Sequence, residues 1–243
     1  MPDTFEHVRP FVYDDAKTKS LHFSICELQS RMRIDRPDAL DVEYTRAMMG
    51  FLLFNPEPRS IAMVGLGGGS LAKFCHRHLP ETRITVVEIN PHVIALRDEF
   101  HVPVDDRRFR VLQGDGADFV RHAPERFEVL LVDGFDYNGQ PARLSSQRFY
   151  DDCYQALAPD GMMVVNLHAD HPDLRLFTGR IERSFGASVF TVKVAREGNV
   201  IVFASRGTLQ PRLPQTLGPD AWKQLRPTFT LVKASMGEGL CRP

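Results

Sequence analysis

Residues 60–69 read Ser60-Ile61-Ala62-Met63-Val64-Gly65-Leu66-Gly67-Gly68-Gly69. Ile61 to Val64 is a short apolar run with β-branched ends. Four glycines within five positions follow, and Leu71, Ala72 and Phe74 then restart an apolar pattern at helical spacing. This succession predicts a strand, a tight turn and a helix. Glycine suits such a turn because the chain must reverse sharply and let a ligand approach its backbone. The helix N-terminus behind the turn offers unpaired N–H groups.

Downstream of this unit the chain keeps a regular alternation. Strands are expected at Ile84 to Ile89, Phe109 to Leu112, Phe127 to Val132 and Met162 to Leu167. Between them helices are expected at Pro91 to Phe100 with Asn90 as cap, after Gly114-Asp115-Gly116 as far as His122, and from Ser146 to Leu157. Leu174 to Phe185 gives one more helix. The last two strands, Val189 to Val194 and Val200 to Phe203, are joined only by Ala195 to Asn199, too short for a parallel crossover, and so form an antiparallel hairpin. The expected fold is α/β: a doubly wound, mostly parallel seven-stranded sheet of Rossmann-like type with an antiparallel last strand.

Upstream, residues 1–40 have the composition of a small β-hairpin appendage, with strands at Leu21 to Ile25 and Gln29 to Ile34 joined through Cys26-Glu27-Leu28. A helix over Asp41 to Phe54 ends at Asn55-Pro56-Glu57-Pro58. Residues 41–206 are expected to form the Rossmann-like domain that carries the ligand site. The proline-bearing tail, 207–243, is expected along the surface with one short helix near Asp220 to Leu225 and Trp222 as an anchor.

Lys plus Arg at 30 against Asp plus Glu at 31 leaves a net charge of -1, so no global basic field points to nucleic acid. No apolar run approaches the ~20 residues that span a bilayer, and the N-terminus lacks the apolar core of a signal peptide, so no membrane partner and a cytoplasmic location are expected. Cys26, Cys75, Cys153 and Cys241 are scattered without a CxxC pair, which argues against disulfides and structural zinc. On one helix His76 and His78 diverge by about 200°, so no metal site is expected there.

Ligands of such sheets bind beyond the carboxyl ends of the strands. After the first strand lie Gly65, Gly67 and Gly69. After the second is Glu88, 23 positions beyond Gly65, the usual distance for a carboxylate that accepts ribose hydroxyls. After the third is Asp115, an acceptor for an exocyclic adenine amine or a helix cap, followed by Gly116. After the fourth are Asp133 and Asp136 in Val-Asp-Gly-Phe-Asp-Tyr-Asn-Gly. The glycine loop by itself nearly satisfies the dinucleotide fingerprint, with Ser70 at the third small position. The carboxylate after the third strand and the antiparallel strand resemble instead the class I fold that binds S-adenosylmethionine.

Taken together, Gln29, Tyr44, the glycine loop, Val87-Glu88-Ile89-Asn90-Pro91, Gly114-Asp115-Gly116, the Asp133 and Asp136 pair and Ser146 to Tyr150 resemble the spermidine synthase family of polyamine aminopropyltransferases. The resemblance implies decarboxylated S-adenosylmethionine as co-substrate, with no tightly bound cofactor, and a putrescine-like amine as acceptor. It implies Glu88 at the ribose, Asp115 at the adenine, Gln29 at the donor's far end, and Asp133 as catalytic acceptor of the amine's proton. Asp136 and Tyr44 would position that amine, and a homodimer is the expected assembly.

Three departures fall where the amine should sit. The family's loop usually reads Gly-Gly-Gly-Asp-Gly-Gly, and Gly68 occupies the acidic position here. Arg46 stands where the family has a glutamate, a change expected to weaken attraction for a dication. Only 15 positions separate Gln29 from Tyr44, too few for the family's second N-terminal hairpin. An S-adenosylmethionine-dependent methyltransferase and a non-catalytic nucleoside-binding relative are the alternatives, with an NAD-dependent dehydrogenase behind them. In His168-Ala169-Asp170-His171, Asp170 is expected to cap the next helix, and Arg143 and Arg148 are expected to face water.

Overall fold

A computed structural model describes residues 7–24, 27–136, 139–194 and 198–239. Among the described residues ten strands form two sheets, a 3-stranded one of order β1-β2-β3 and a 7-stranded one of order β6-β5-β4-β7-β8-β10-β9, accompanied by seven α-helices.

The N-terminal sheet has one strand more than the sequence suggested: β1 (Phe11–Asp14) pairs antiparallel with β2 (Thr18–Ser24), and β2 with β3 (Glu27–Arg33). β1 is only 4 residues long and follows Pro10, so its own pattern is weak. Its turn is set by Asp15, whose Oδ1 accepts from the backbone N–H groups of Lys17 and Thr18, both at 2.7 Å. Cys26 in the expected β2–β3 link, and Cys241, lie outside the described residues.

The large sheet follows the expected alternation: β4 (Ser60–Val64), α2 (Ser70–His78), β5 (Arg83–Glu88), α3 (Pro91–Ala95), β6 (Phe109–Gln113), α4 (Gly116–Arg121), β7 (Phe127–Val132), α5 (Gln147–Ala156), β8 (Leu157–His168), α6 (Leu174–Phe185), β9 (Val189–Val194) and β10 (Asn199–Ser205). β10, last in sequence, is the antiparallel strand and lies between β8 and β9. The chain order reverses between β4 and β7, so the ligand crevice opens there, beside the carboxyl ends of β4, β5 and β7. Period-two alternation divides the core. Ile61, Met63, Val129 and Leu131 face one buried layer, and Ala62, Val64, Leu130 and Val132 the other. With both faces covered, the strands read as continuous apolar runs.

Three expectations are corrected. The helix expected over residues 41–54 is α1 (Glu43–Met48) followed by a 3-10 turn, Met49–Leu53. Asp170 does not cap α6. Asp173 occupies the N-cap, and His171 Nδ1 accepts from its backbone N–H at 3.0 Å. The tail, expected on the surface with a short helix, carries instead a 21-residue helix, α7 (Pro219–Gly239). Ala221, Leu225, Phe229 and Val232 on one of its faces are buried against β9 and the 3-10 turn. Pro227 hid this helix, because proline removes a backbone donor and clashes with the preceding turn. It sits on the exposed side, where water can satisfy the carbonyl it displaces. Gly50 lets α7 approach closely, since a Cβ there would come within 2.7 Å of Val232. Trp222 is a packing anchor as expected, its ring tilted against Phe229 at 5.6 Å.

Candidate active site

A cavity of about 830 Å3 opens at the carboxyl ends of β4, β5 and β7. All the singled-out residues except Gly69 line it: Gln29 and Tyr44, Gly65 and Gly67, Glu88, Asp115 and Gly116, Asp133 and Asp136. Gly69 caps α2 behind the loop with φ of 69°.

The glycine loop needs its glycines for two different reasons. Gly65, Gly67 and Gly69 have φ of 96°, 51° and 69°, a region that costs side-chain-bearing residues strain. Gly68 is closed by crowding: a Cβ there would stand 2.7 Å from Ser30 Oγ and 2.8 Å from the Phe100 ring. The space of the family's aspartate side chain is thus taken by Ser30 and Phe100. Ser30 Oγ lies 3.4 Å from Ser70 Oγ, a buried hydroxyl pair that joins β3 to the start of α2.

Glu88 at the end of β5 is buried and tied to the backbone on both sides. Oε2 accepts from Leu66 N–H and Oε1 from Asn90 N–H, each at 2.8 Å. Burial raises its pKa, and these backbone N–H groups oppose the rise. Of the two roles left open by the sequence for Asp115, the helix cap is seen. Its Oδ1 caps α4 by accepting from the N–H groups of Ala117 and Asp118 at 2.8 and 3.1 Å, while the residue lines the cavity. Its Oδ2 is taken by Arg143, which bridges Asp115 at 2.7 Å and Asp118 at 2.6 Å and does not simply face water. Arg148 is exposed as expected.

Asp133 follows β7 at the cavity floor. Its Oδ1 accepts from Asn166 Nδ2 at 2.9 Å and its Oδ2 from the Tyr44 hydroxyl at 3.1 Å. Desolvation pushes its pKa up, opposed by those two hydrogen bonds and by nearby His168. Asp136 is more exposed and sits at a turn closed by hydrogen bonds to Gly139, N–H to O at 2.9 Å and O to N–H at 3.0 Å. His168 does not reach the cavity lining; its ring stacks on Phe135 at 4.5 Å. Among the described residues no cluster of His, Cys, Asp or Glu has the spacing of a metal site.

Arg46 corrects an expectation. Its guanidinium turns away from the cavity and donates to the carbonyls of Leu40 at 2.5 Å and Asp41 at 3.0 Å. It therefore adds no positive charge at the cavity wall. Asn166 and Asn199 were missed by sequence reasoning. The available signal was a single amide within the apolar run Met162 to Leu167, since a polar side chain is buried there only with partners.

A doubly wound, mostly parallel sheet with a glycine loop after its first strand, a buried carboxylate after the second and a switch-point crevice defines the Rossmann-like, class I methyltransferase type of fold. The spermine/spermidine synthase domain model matches residues 42–195. A polyamine aminopropyltransferase of Chromobacterium violaceum is 37% identical over 216 residues, 88% of this chain and 80% of that protein. The chain belongs to the spermine/spermidine synthase family. In fold it is similar to a probable spermidine synthase from Corynebacterium glutamicum, with TM-score 0.68 and 21% identity over 81% of this chain and 76% of that one. It also resembles human methyltransferase-like protein 13, solved with SAH, with TM-score 0.63 and 24% identity over 78% of this chain and 93% of that one.

Proposed function

We propose that this protein transfers an aminopropyl group from decarboxylated S-adenosylmethionine to an amine such as putrescine. The observation that carries the reading is the Asp133 carboxylate, held by Tyr44 and Asn166 at the floor of a nucleoside-sized cavity. The amine nitrogen attacks the carbon next to the sulfonium. A C–N bond forms, the C–S bond breaks, methylthioadenosine leaves and Asp133 takes the nitrogen's proton. Desolvation raises the basicity of Asp133, which narrows its mismatch with an alkylammonium. Glu88 takes the ribose, Asp115 and Gly116 border the adenine, and Gln29 meets the donor's far end. Gly65, Gly67 and Gly69 let the loop backbone approach the donor, and Asp136 and Tyr44 orient the amine.

The charge of the cavity supports a cationic donor and acceptor over intact S-adenosylmethionine. Glu88, Asp115, Asp133 and Asp136 face it, and Arg143, the one Lys or Arg among its described lining residues, is already paired with Asp115. A donor carboxylate would find no unpaired guanidinium or ammonium there. In this reading residues 41–206 hold the reaction, β3 brings Gln29 to the donor's far end, and α7 (Pro219–Gly239) supports the domain from behind. The protein acts in the cytoplasm as a homodimer, with exposed Phe11 and Tyr13 on edge strand β1 as contact surface.

The test is incubation with decarboxylated S-adenosylmethionine and putrescine, with methylthioadenosine quantified by mass spectrometry beside Asp133→Asn. Product that falls at least ~100-fold in the variant, with donor binding retained, is expected. Donor binding without product from any of a panel of diamines would sink the assignment.

A further inference from the structure

Behind Asp133 lies a polar path through an otherwise apolar layer. Asn166, near the carboxyl end of β8, donates through Nδ2 to Asp133 Oδ1 at 2.9 Å. Its own Oδ1 accepts from Asn199 Nδ2, also at 2.9 Å. Both amides are buried, with 2% and 6% exposure, so an unmatched donor or acceptor in either would be costly. Asn199 opens β10, and no residue of that strand lines the cavity.

The two bonds have a direction. An amide side chain carries its donor and acceptor on opposite arms, so fixing one arm fixes what the other presents. Because Asn199 donates to the Asn166 oxygen, Asn166 must turn its NH2 toward Asp133. An NH2 facing a carboxylate favours the anion, whereas a carbonyl oxygen in its place would favour the protonated acid.

We propose that Asn166 and Asn199 are positioning residues that hold the Asp133 carboxylate deprotonated and in a single orientation, with Asn199 acting through the amide of Asn166. The proposal rests on the reading of Asp133 as the proton acceptor, and it extends the reactive apparatus to a strand that contacts neither substrate. The other ionisable groups facing Asp133 are Tyr44 from α1, whose hydroxyl donates to it, and His168 at the end of β8. Asp136 lies farther along the same loop. Tyr44 reaches Asp133 without Asn199, whereas His168 is the strand partner of Asn199 across the β8–β10 ladder, so each Asn199 variant is read beside the same variant carrying His168→Gln, in which only the amide path can move the midpoint.

The decisive measurement follows the Asp133 carboxyl carbon by NMR in protein labelled with 13C at the aspartate side chain, its resonance assigned by its loss in Asp133→Asn. Asn199→Leu keeps the number and branching of side-chain heavy atoms and removes the donor. Asn199→Ser, smaller and polar, guards against a folding failure. In both, the Asp133 titration midpoint should rise by roughly half to one pH unit, because the anion loses part of its support. In Asn166→Leu it should rise further. In parallel, the acidic limb of the kcat/KM profile should move to higher pH with KM for the donor unchanged. A role in folding alone would lower the melting temperature without moving either midpoint, and that outcome overturns the proposal. A midpoint that moves in Asn166→Leu but stays at the wild-type value in both Asn199 variants overturns it too. The NMR titration needs no turnover, so failure of aminopropyl transfer in the wild type would count against the proposed function and leave this reading separately decided.

Discussion

A Cβ on Gly65 would stand 2.2 Å from the carbonyl oxygen of Asp133, so the first loop glycine and the aspartate that follows β7 are neighbours through their backbones. Adjacent parallel strands bring them together: Gly65 leaves β4 and Asp133 leaves β7, with Val64 and Val132 in register. Asp133 N–H also donates to Val64 O at 2.9 Å. The position of the carboxylate thus depends on a residue that has no side chain.

Gly65→Ala should therefore damage the reaction more than donor binding alone would explain. The added methyl must push Asp133 aside, and φ of 96° strains any residue with a Cβ. Denaturant melts should show a loss of about 3 kcal/mol or more, and methylthioadenosine release should be abolished. A variant of normal stability and activity would show that this loop moves freely.

Restoring the family's acidic residue by Gly68→Asp should not improve amine affinity. Ser30 and Phe100 occupy the space, so the variant should lose about 1–3 kcal/mol of stability from overpacking. Combining it with Ser30→Gly should recover part of that loss. Thermal melts of the single and double variants, read beside the KM for putrescine, make the comparison.

Asp115 joins helix capping to the cavity wall, and two substitutions separate these roles. Asp115→Ala removes the cap and should cost about 1 kcal/mol, along with weaker donor binding. Asp115→Asn keeps an oxygen for the Ala117 and Asp118 N–H groups and should retain nearly all the stability while losing the Arg143 ion pair. Calorimetric titration with methylthioadenosine should show weakened binding in both.

Lys73, buried on α2, donates through Nζ to Phe100 O at 2.7 Å. Desolvation lowers its pKa from the usual 10.5 to about 7, with only Asp38 opposing. Below pH 7 the folded and unfolded states both hold the proton. As pH rises through 7 the folded protein releases it, while the unfolded chain keeps it until near 10.5. The folded state then binds fewer protons, so this group makes stability rise with pH across that window, by an amount on the order of a few kcal/mol. Urea melts from pH 6 to pH 10 should show the rise in the wild type. In Lys73→Met it should be missing, and a parallel pH dependence in the two proteins would refute the assignment.

How far the sequence alone reaches differs from element to element. Asn90 was legible as a helix cap, and it accepts from the backbone N–H of His92 at 2.9 Å, because capping involves only three or four neighbouring residues. α7 was not legible. Its proline is a local signal for a break, whereas the burial of Leu225, Phe229 and Val232 that outweighs it is tertiary. The same contrast separates Asp115, found from its place after a strand, from its partner Arg143, which lies 28 positions away.

What the sequence determined by itself was the alternation of strands and helices, the glycine turn and the carboxylates that follow consecutive strands. Hydrophobic period, backbone freedom and crossover length are properties of short stretches of chain, and they constrain a parallel sheet to place those residues at one edge. The tertiary structure alone decided where long side chains point and what fills the gaps between elements. It turned Arg46 onto the carbonyls of Leu40 and Asp41, put Ser30 and Phe100 where an aspartate side chain would stand, and linked Asn199 through Asn166 to Asp133. Such contacts join segments tens of residues apart. They depend on the relative placement of packed elements, for which no local pattern in the chain carries a signal.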